Sequence, residues 1–326
     1  MKSTFEIFQK LRLESPTIKG GYPTASIPFI KNHKIGISET KQPIFFIKCQ
    51  KDIHSKVLDI NLEYISVQFC RQCQLINLRD NIEEGIYTII TLKADSEYLQ
   101  EYFIKVVNIL LLNIPYEPII SELKLEIDKL IVLFSKFTKL PLKTVQGLWA
   151  ELLIIEQSNN PAYLIKSWHN SISDKYDFND GFDKVEVKST TKSRRIHTFS
   201  REQLTPNPGS RLLIASILVF ETGTGKNIFN LVESIESKIQ EENLAFRLNE
   251  LIAMTIGKDF EKAFDIYFDY QFAVDSIRFY NSSDIPTIIE KCIPSNIMNL
   301  RFDCDLTEIE TFAKDSSLSK LFNSLF

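Results

Sequence analysis

Apolar residues recur along this chain in two rhythms, and the rhythm changes near residue 115. Between about 25 and 95 the apolar runs are short, β-branched and aromatic: PIFFIKC at 43–49, EYISVQFC at 63–70 and IYTIITLK at 86–93. Polar RDNIEEG at 79–85 separates two of them, as turns separate strands. A helix is predicted from about Ser96 to Asn113, and Pro115 and Pro118 then break the pattern. We place a domain boundary there, with a β-rich N-terminal domain over 1–118 and a second domain over 119–326.

The second rhythm is helical at first. In SELKLEIDKLIVLFSKF (121–137), Leu123, Ile127, Leu130, Ile131 and Phe134 form one stripe, with Ser121 as candidate cap. Pro141 opens a further helix through GLWAELLIIEQ that ends near Asn159-Asn160-Pro161. IKSWHNS, KYDFN and FDKVEVKST read as extended, and Leu212–Phe220 is a continuous apolar run suited to a buried strand. Helices are predicted over 227–240 and 242–254, a strand or hairpin over 264–280, a strand in LRFDCDL (300–306) and a helix near 316–325. This succession predicts an α/β (α+β) core with a central mixed sheet flanked by helices.

Composition narrows the picture. A chain of 326 residues buries a sizeable core, and 10 Gly and 12 Pro leave little room for low-complexity tracts. The net charge of −4 excludes a uniformly basic nucleic-acid binder but not a local basic patch. Five unevenly spread Cys predict reduced thiols and a cytoplasmic location. The opening MKSTFEIFQKLRLE has no apolar core of leader length, and no run of about 18 apolar residues predicts a membrane span.

The segment KYDFNDGFDKVEVKS (175–189) carries the most chemistry. Asp180-Gly181 predicts a two-residue type I′ hairpin turn. That register sets Phe178 opposite Asp183 and Asp177 opposite Lys184. Strand alternation then puts Asp177, Lys184, Glu186 and Lys188 on one face, and Phe178, Val185 and Val187 on the other. Asp177 and Glu186 become diagonal neighbours about 7–8 Å apart, close enough to share one ion. Asp174 and Asp183 fall on the opposite face, and Asp180 lies in the turn. A plain solvated strand face is the competing reading of Glu186 and Lys188. Residues 184–201 also hold Lys184, Lys188, Lys192, Arg194, Arg195 and Arg201 against the single acid Glu186. Such a patch suits DNA phosphates, with a solvated connection as its alternative. Thr190 and Thr191 are further phosphate donors.

Two other motifs fail. Cys70-Arg-Gln-Cys73 lacks the second pair that a zinc site needs, and Gly223-Thr-Gly-Lys226 has Phe220 where a phosphate loop requires glycine.

An acid on one strand and Glu-Val-Lys on the next resemble the PD-(D/E)XK nuclease superfamily. G-L-W-A-E-L (147–152), VEVKST (185–190) and HTFSREQL (197–204) are together similar to a bacterial family of "PD-(D/E)XK motif proteins" associated with restriction and phage-defence loci. Tyr176 stands where the motif's name has proline. The resemblance implies a restriction-endonuclease-like core and metal-dependent DNA cleavage. It implies Asp177, Glu186 and Lys188 as catalytic centre and Glu151, preferred over Glu156, as the helix carboxylate completing a metal shell with Asp177 and Glu186. The expected ion is Mg²⁺, with Mn²⁺ as substitute. Lys184, Thr190, Lys192, Arg194, Arg195, His197, Ser200 and Gln203 are the expected nucleic-acid contacts or their support. The expected partners are DNA and a second copy or other defence proteins, with no membrane. Two rivals stand beside this reading: a catalytically silent nucleic-acid-binding or assembly subunit, and an interaction protein whose N-terminal domain is the working part.

Overall fold

The computed structural model describes residues 3–14, 21–50, 57–139, 143–169, 174–288, 293–294, 296–314 and 319–326. Its contacts divide the chain into two compact units, Met1–Lys139 and Leu140–Phe326. The division falls beyond the 118/119 boundary because the helix that follows it packs backwards. Phe134 and the adjoining Phe137 stack edge-on against Phe103 and Tyr102, at 5.6 and 5.9 Å between ring centroids.

The first unit opens with α1 (Thr4–Glu14). Its sheet comprises β1 (Tyr22–Ile27), β2 (Ile30–Ile37), β3 (Pro43–Lys48), β4 (Ile60–Asn61), β5 (Ile65–Asn77) and β6 (Ile82–Leu92), in the order β1-β2-β3-β6-β5-β4. β1 also pairs in parallel with β5, which curls the sheet back on itself. The turn expected at 79–85 is tighter and earlier: the Asn77 carboxamide accepts from the Arg79 and Asn81 amides, and β6 begins at Ile82. Two helices complete the unit, α2 (Glu97–Leu112), capped by Ser96, and α3 (Ile120–Lys136). Ile119, not Ser121, is the N-cap of α3.

The second unit is built on a mixed four-stranded sheet. β7 (Phe178–Asn179), β8 (Lys184–Thr190), β10 (Leu212–Leu218) and β13 (Arg278–Asn281) lie in the order β13-β10-β8-β7. β8 and β10 are parallel; the outer pairs are antiparallel. The LLIASIL run of β10 is buried from Leu212 to Ile217, as expected of a strand between two neighbours. β9 (Ile196–Ser200) pairs with β14 (Arg301–Asp305), and β11 (Glu221–Thr222) with β12 (Tyr267–Phe268). The helices are α4 (Val145–Gln157), α5 (Pro161–Ser167), α6 (Ile228–Lys238), α7 (Glu242–Ile256), α8 (Tyr270–Ser276) and α9 (Lys320–Leu325). The fold is therefore α+β, with α4 packed on β8 and α8 on β10.

Two segments read as extended are helical in part: residues 165–167 end α5, and α8 stands between the strands β12 and β13. Asn160 caps α5 and Pro161 occupies its first turn, so the Asn-Pro pair that closes one helix opens the next. Asp269 caps α8 through the Phe272 amide, which overrides the strand-like alternation of 264–280. Pro141, expected at the start of α4, lies outside the described residues; Thr144 caps that helix. The Gly-Thr-Gly-Lys segment is a turn. Gly225 (φ 125°) passes the Phe268 carbonyl so closely that a Cβ would sit 2.2 Å from its oxygen.

Candidate active site

Helix α4 is apolar around its whole circumference and buried from Leu148 to Glu156, so it brings two carboxylates inside. They stand five residues apart and meet different neighbours. Glu156 accepts from Ser234 Oγ (2.6 Å), Tyr270 Oη (2.9 Å), Gln157 Nε2 (2.5 Å) and Lys238 Nζ (2.9 Å). Against its burial these donors hold it down at about 2. A carboxylate so fully satisfied ties α4 to α6 and α8. Glu151, 2% exposed, faces the other way. Its Oε2 accepts from Trp168 Nε1 (2.7 Å), and its Oε1 from Lys143 Nζ (2.6 Å).

The β7–β8 hairpin brings the second carboxylate. Its turn is wider than Asp180-Gly181 alone predicts. Only Gly181 has positive φ (92°), whereas a type I′ turn needs it at both central positions. Instead Asp180 Oδ1 accepts from the amides of Phe182 and Asp183, Asn179 Oδ1 from that of Gly181, and the loop spans 180–183. Phe178 therefore pairs with Val185, two residues away from the expected register. A slip of two preserves the strand face, because side chains alternate with period two. It replaces the expected diagonal relation: the register, continued by one residue, sets Asp177 directly opposite Glu186.

Asp177 Oδ2 accepts from the Val187 amide (2.7 Å), and Oδ1 takes an ion pair from the same Lys143 ammonium that holds Glu151. The Asp177 carbonyl also accepts from the His169 amide (2.9 Å), which fixes the chain after α5 against β7. Ligand atoms of Glu151, His169 and Asp177 consequently lie within 4.8 Å of one another, all three residues buried. His169 Nε2 is 3.2 Å from Glu151 Oε2 but lacks hydrogen-bond alignment, so it is a buried ring nitrogen without a hydrogen-bond partner. Such an orphan is costly in an apolar interior unless something else takes its lone pair or proton. Burial, then the Glu151 charge, pushes Asp177 above the usual carboxylate range. For Glu151 burial acts the same way, but the His169 ring and the Lys143 ammonium outweigh it and hold it low. Lys143, half-buried, is held firmly charged by both acids against the effect of burial.

On β8, Glu186 is 5% exposed, and burial followed by the Asp177 charge raises it to about 8. Its Oε1 takes Gln203 Nε2 at 2.7 Å and Lys188 Nζ at 2.9 Å. Lys188 Nζ also donates to Gln203 Oε1 at 3.3 Å. Gln203 is fixed in turn by a capping box: Ser200 Oγ accepts from its amide, and its Oε1 accepts from the Ser200 amide (3.1 Å). Ser200 and Gln203 thus hold Glu186 and Lys188 in place.

The remaining expected contacts separate. Lys192 and Arg194 are exposed, with Arg194 paired to Asp305 at 2.5 Å. Arg195 donates to Ser216 and to the Ser276 carbonyl, and buried His197 meets Ser216 Oγ at 2.7 Å. Burial, then the Lys188 charge, lowers His197 to about 4, so its ring is neutral. Lys184 is buried, and its ammonium donates to the Gly181 and Phe182 carbonyls and to Ser210 Oγ. In this structure it clamps the hairpin loop rather than facing solvent. Thr190 is buried and its Oγ1 accepts from the Lys192 amide. Lys143 and His169 were not singled out in the sequence, Trp168 reads there as core or as flanking the site, and no spacing rule connects any of them to the acids. The signal they carry is tertiary.

Glu151, His169 and Asp177 form an oxygen–nitrogen–oxygen donor set that fits a divalent cation, with His169 where Glu186 was the expected third ligand. The imidazole suits a transition ion better than Mg²⁺, which favours all-oxygen shells. The family described as "Putative PD-(D/E)XK family member, (DUF4420)" matches residues 6–307. No curated protein and no solved structure matches the chain.

Proposed function

The chain belongs to this PD-(D/E)XK family, and from that premise we propose that it is a divalent-metal-dependent nuclease hydrolysing DNA phosphodiesters, in bacterial restriction or anti-phage defence. One observation carries the proposal: the buried Glu151–His169–Asp177 donor set stands beside Glu186 and Lys188 on the strand opposite Asp177. Glu151, His169 and Asp177 would hold the ion, with Mn²⁺ favoured over Mg²⁺ by the imidazole. Bound there, a divalent cation supplies charge neutralisation for the phosphodiester and acidifies water.

The chain's own groups do the rest. Asp177 and Glu151 are each oriented through one oxygen, by the Val187 amide and the Trp168 indole, and the other oxygen of each is shared with the Lys143 ammonium. Lys188 Nζ, an ammonium held by Glu186, would orient the attacking water by donating to it. Glu186 anchors Lys188, and Gln203 fixes both. Exposed Lys192 and Arg194 on the β8–β9 connection support duplex binding through phosphates. The test is strand cleavage of duplex DNA with Mn²⁺ and with Mg²⁺. Lys188→Ala should lose at least about a hundredfold in rate, as expected for a group that positions the nucleophile, with unchanged circular dichroism. Full activity in the folded variant sinks the assignment.

A further inference from the structure

The two carboxylates of this site already hold a cation, and it belongs to the chain. Glu151 Oε1 and Asp177 Oδ1 both receive the Lys143 ammonium. Their other oxygens do not depend on it, because Oε2 is held by Trp168 and Oδ2 by the Val187 amide. Lys143 is thus bonded to the two oxygen atoms that these residues have left to offer. The acids are nearly inaccessible, with side chains 3% and 8% exposed, whereas the Lys143 side chain is 32% exposed and its residue lies one before the Thr144 cap of α4. One end of the interaction is built into the core and the other reaches in from the surface.

We propose that Lys143 is the resident counter-ion of the site and exchanges with the divalent cation: in the metal-free chain its ammonium compensates Glu151 and Asp177, and the metal ion takes its place on Oε1 and Oδ1. This rests on the metal-dependent reading above. Two buried carboxylates whose oxygens lie within 4.8 Å need a cation in either state. An ammonium and a divalent ion cannot both take the same lone pairs at contact distance. His169 Nε2 completes the asymmetry: it lies 3.2 Å from Glu151 Oε2 without a hydrogen bond while Lys143 is in place, and its unprotonated lone pair is a ligand that a metal ion can use. Binding energy for the metal is therefore reduced by the cost of displacing Lys143. The displaced side chain carries its charge to the mouth of the site, where an anionic phosphodiester arrives.

The test uses the full chain and Mn²⁺ alone, followed by electron paramagnetic resonance of the free ion. Only a fraction of the wild-type molecules has Lys143 withdrawn, so removing its charge should tighten binding by roughly ten- to a hundredfold in Lys143→Gln. In parallel, the metal-free variant should melt below wild type, and saturating Mn²⁺ should narrow the gap. A second measurement needs no variant: amine acylation of wild-type Lys143, read by peptide mass spectrometry, should rise several-fold when Mn²⁺ is added in place of a chelator. Equal or weaker Mn²⁺ binding in Lys143→Gln, or acylation unchanged by Mn²⁺, overturns the exchange while leaving the metal site standing. Absence of Mn²⁺ binding in both proteins overturns the metal-dependent reading and the exchange with it.

Discussion

At the scale of single residues, Glu186 has a measurable consequence. Burial first, and the Asp177 charge second, raise it to about 8 against the pull of Lys188. An unfolded glutamate titrates near about 4.3. Its folded value is the higher one, so folding favours the protonated form. The stability it contributes is full below the unfolded value and is lost as pH rises through about 8. In chelator, wild-type urea midpoints should therefore fall more steeply between pH 5 and 8 than those of Glu186→Gln; parallel pH profiles would contradict the assignment. The acids themselves were legible in the sequence, because strand alternation put Asp177, Glu186 and Lys188 on one face. Lys143 and His169 were not. Lys143 meets Asp177 across 34 positions of chain, and nothing in local periodicity reports a contact of that range.

Among the elements, the β7–β8 hairpin shows how a wrong detail preserved a correct conclusion. The Asp-Gly signal predicts a tight turn, but Asp180 spends its carboxylate on the Phe182 and Asp183 amides and on Tyr163 Oη, and the loop widens. The register moved by an even number, so the face survived while the Asp177–Glu186 relation became direct. Asp180→Ala removes three acceptor contacts and should lower stability by about 1–2 kcal/mol, given the modest net value of each hydrogen bond; an unaltered denaturation midpoint would mean that the loop is held elsewhere. The apolar run of β10 was readable because burial on both faces leaves a continuous signature. Helices α5 and α8 were not, because each has seven residues and a polar cap decides it before any stripe develops. The Gly-Leu-Trp-Ala-Glu-Leu helix was legible as a helix. Of its two carboxylates, Glu156 is taken up by Ser234, Lys238 and Tyr270, which leaves Glu151 as the one facing the β7–β8 hairpin.

Over the whole molecule, the family match from 6 to 307 runs through both compact units, although the motif residues all lie in the second. Among the described residues no helix is long and apolar enough to cross a membrane. With a net charge of −4, the DNA binding we propose would rest on local basic groups and on the charge of a bound ion. That makes the metal site the hinge of the account. The most direct measurement is single-turnover cleavage of duplex DNA by the full chain in Mn²⁺ and in chelator, for wild type and for Asp177→Asn. Wild type should cut only with the ion, and the folded variant should be slower by at least about a hundredfold. Cleavage that persists in chelator, or that the variant performs as fast as wild type, would contradict the account.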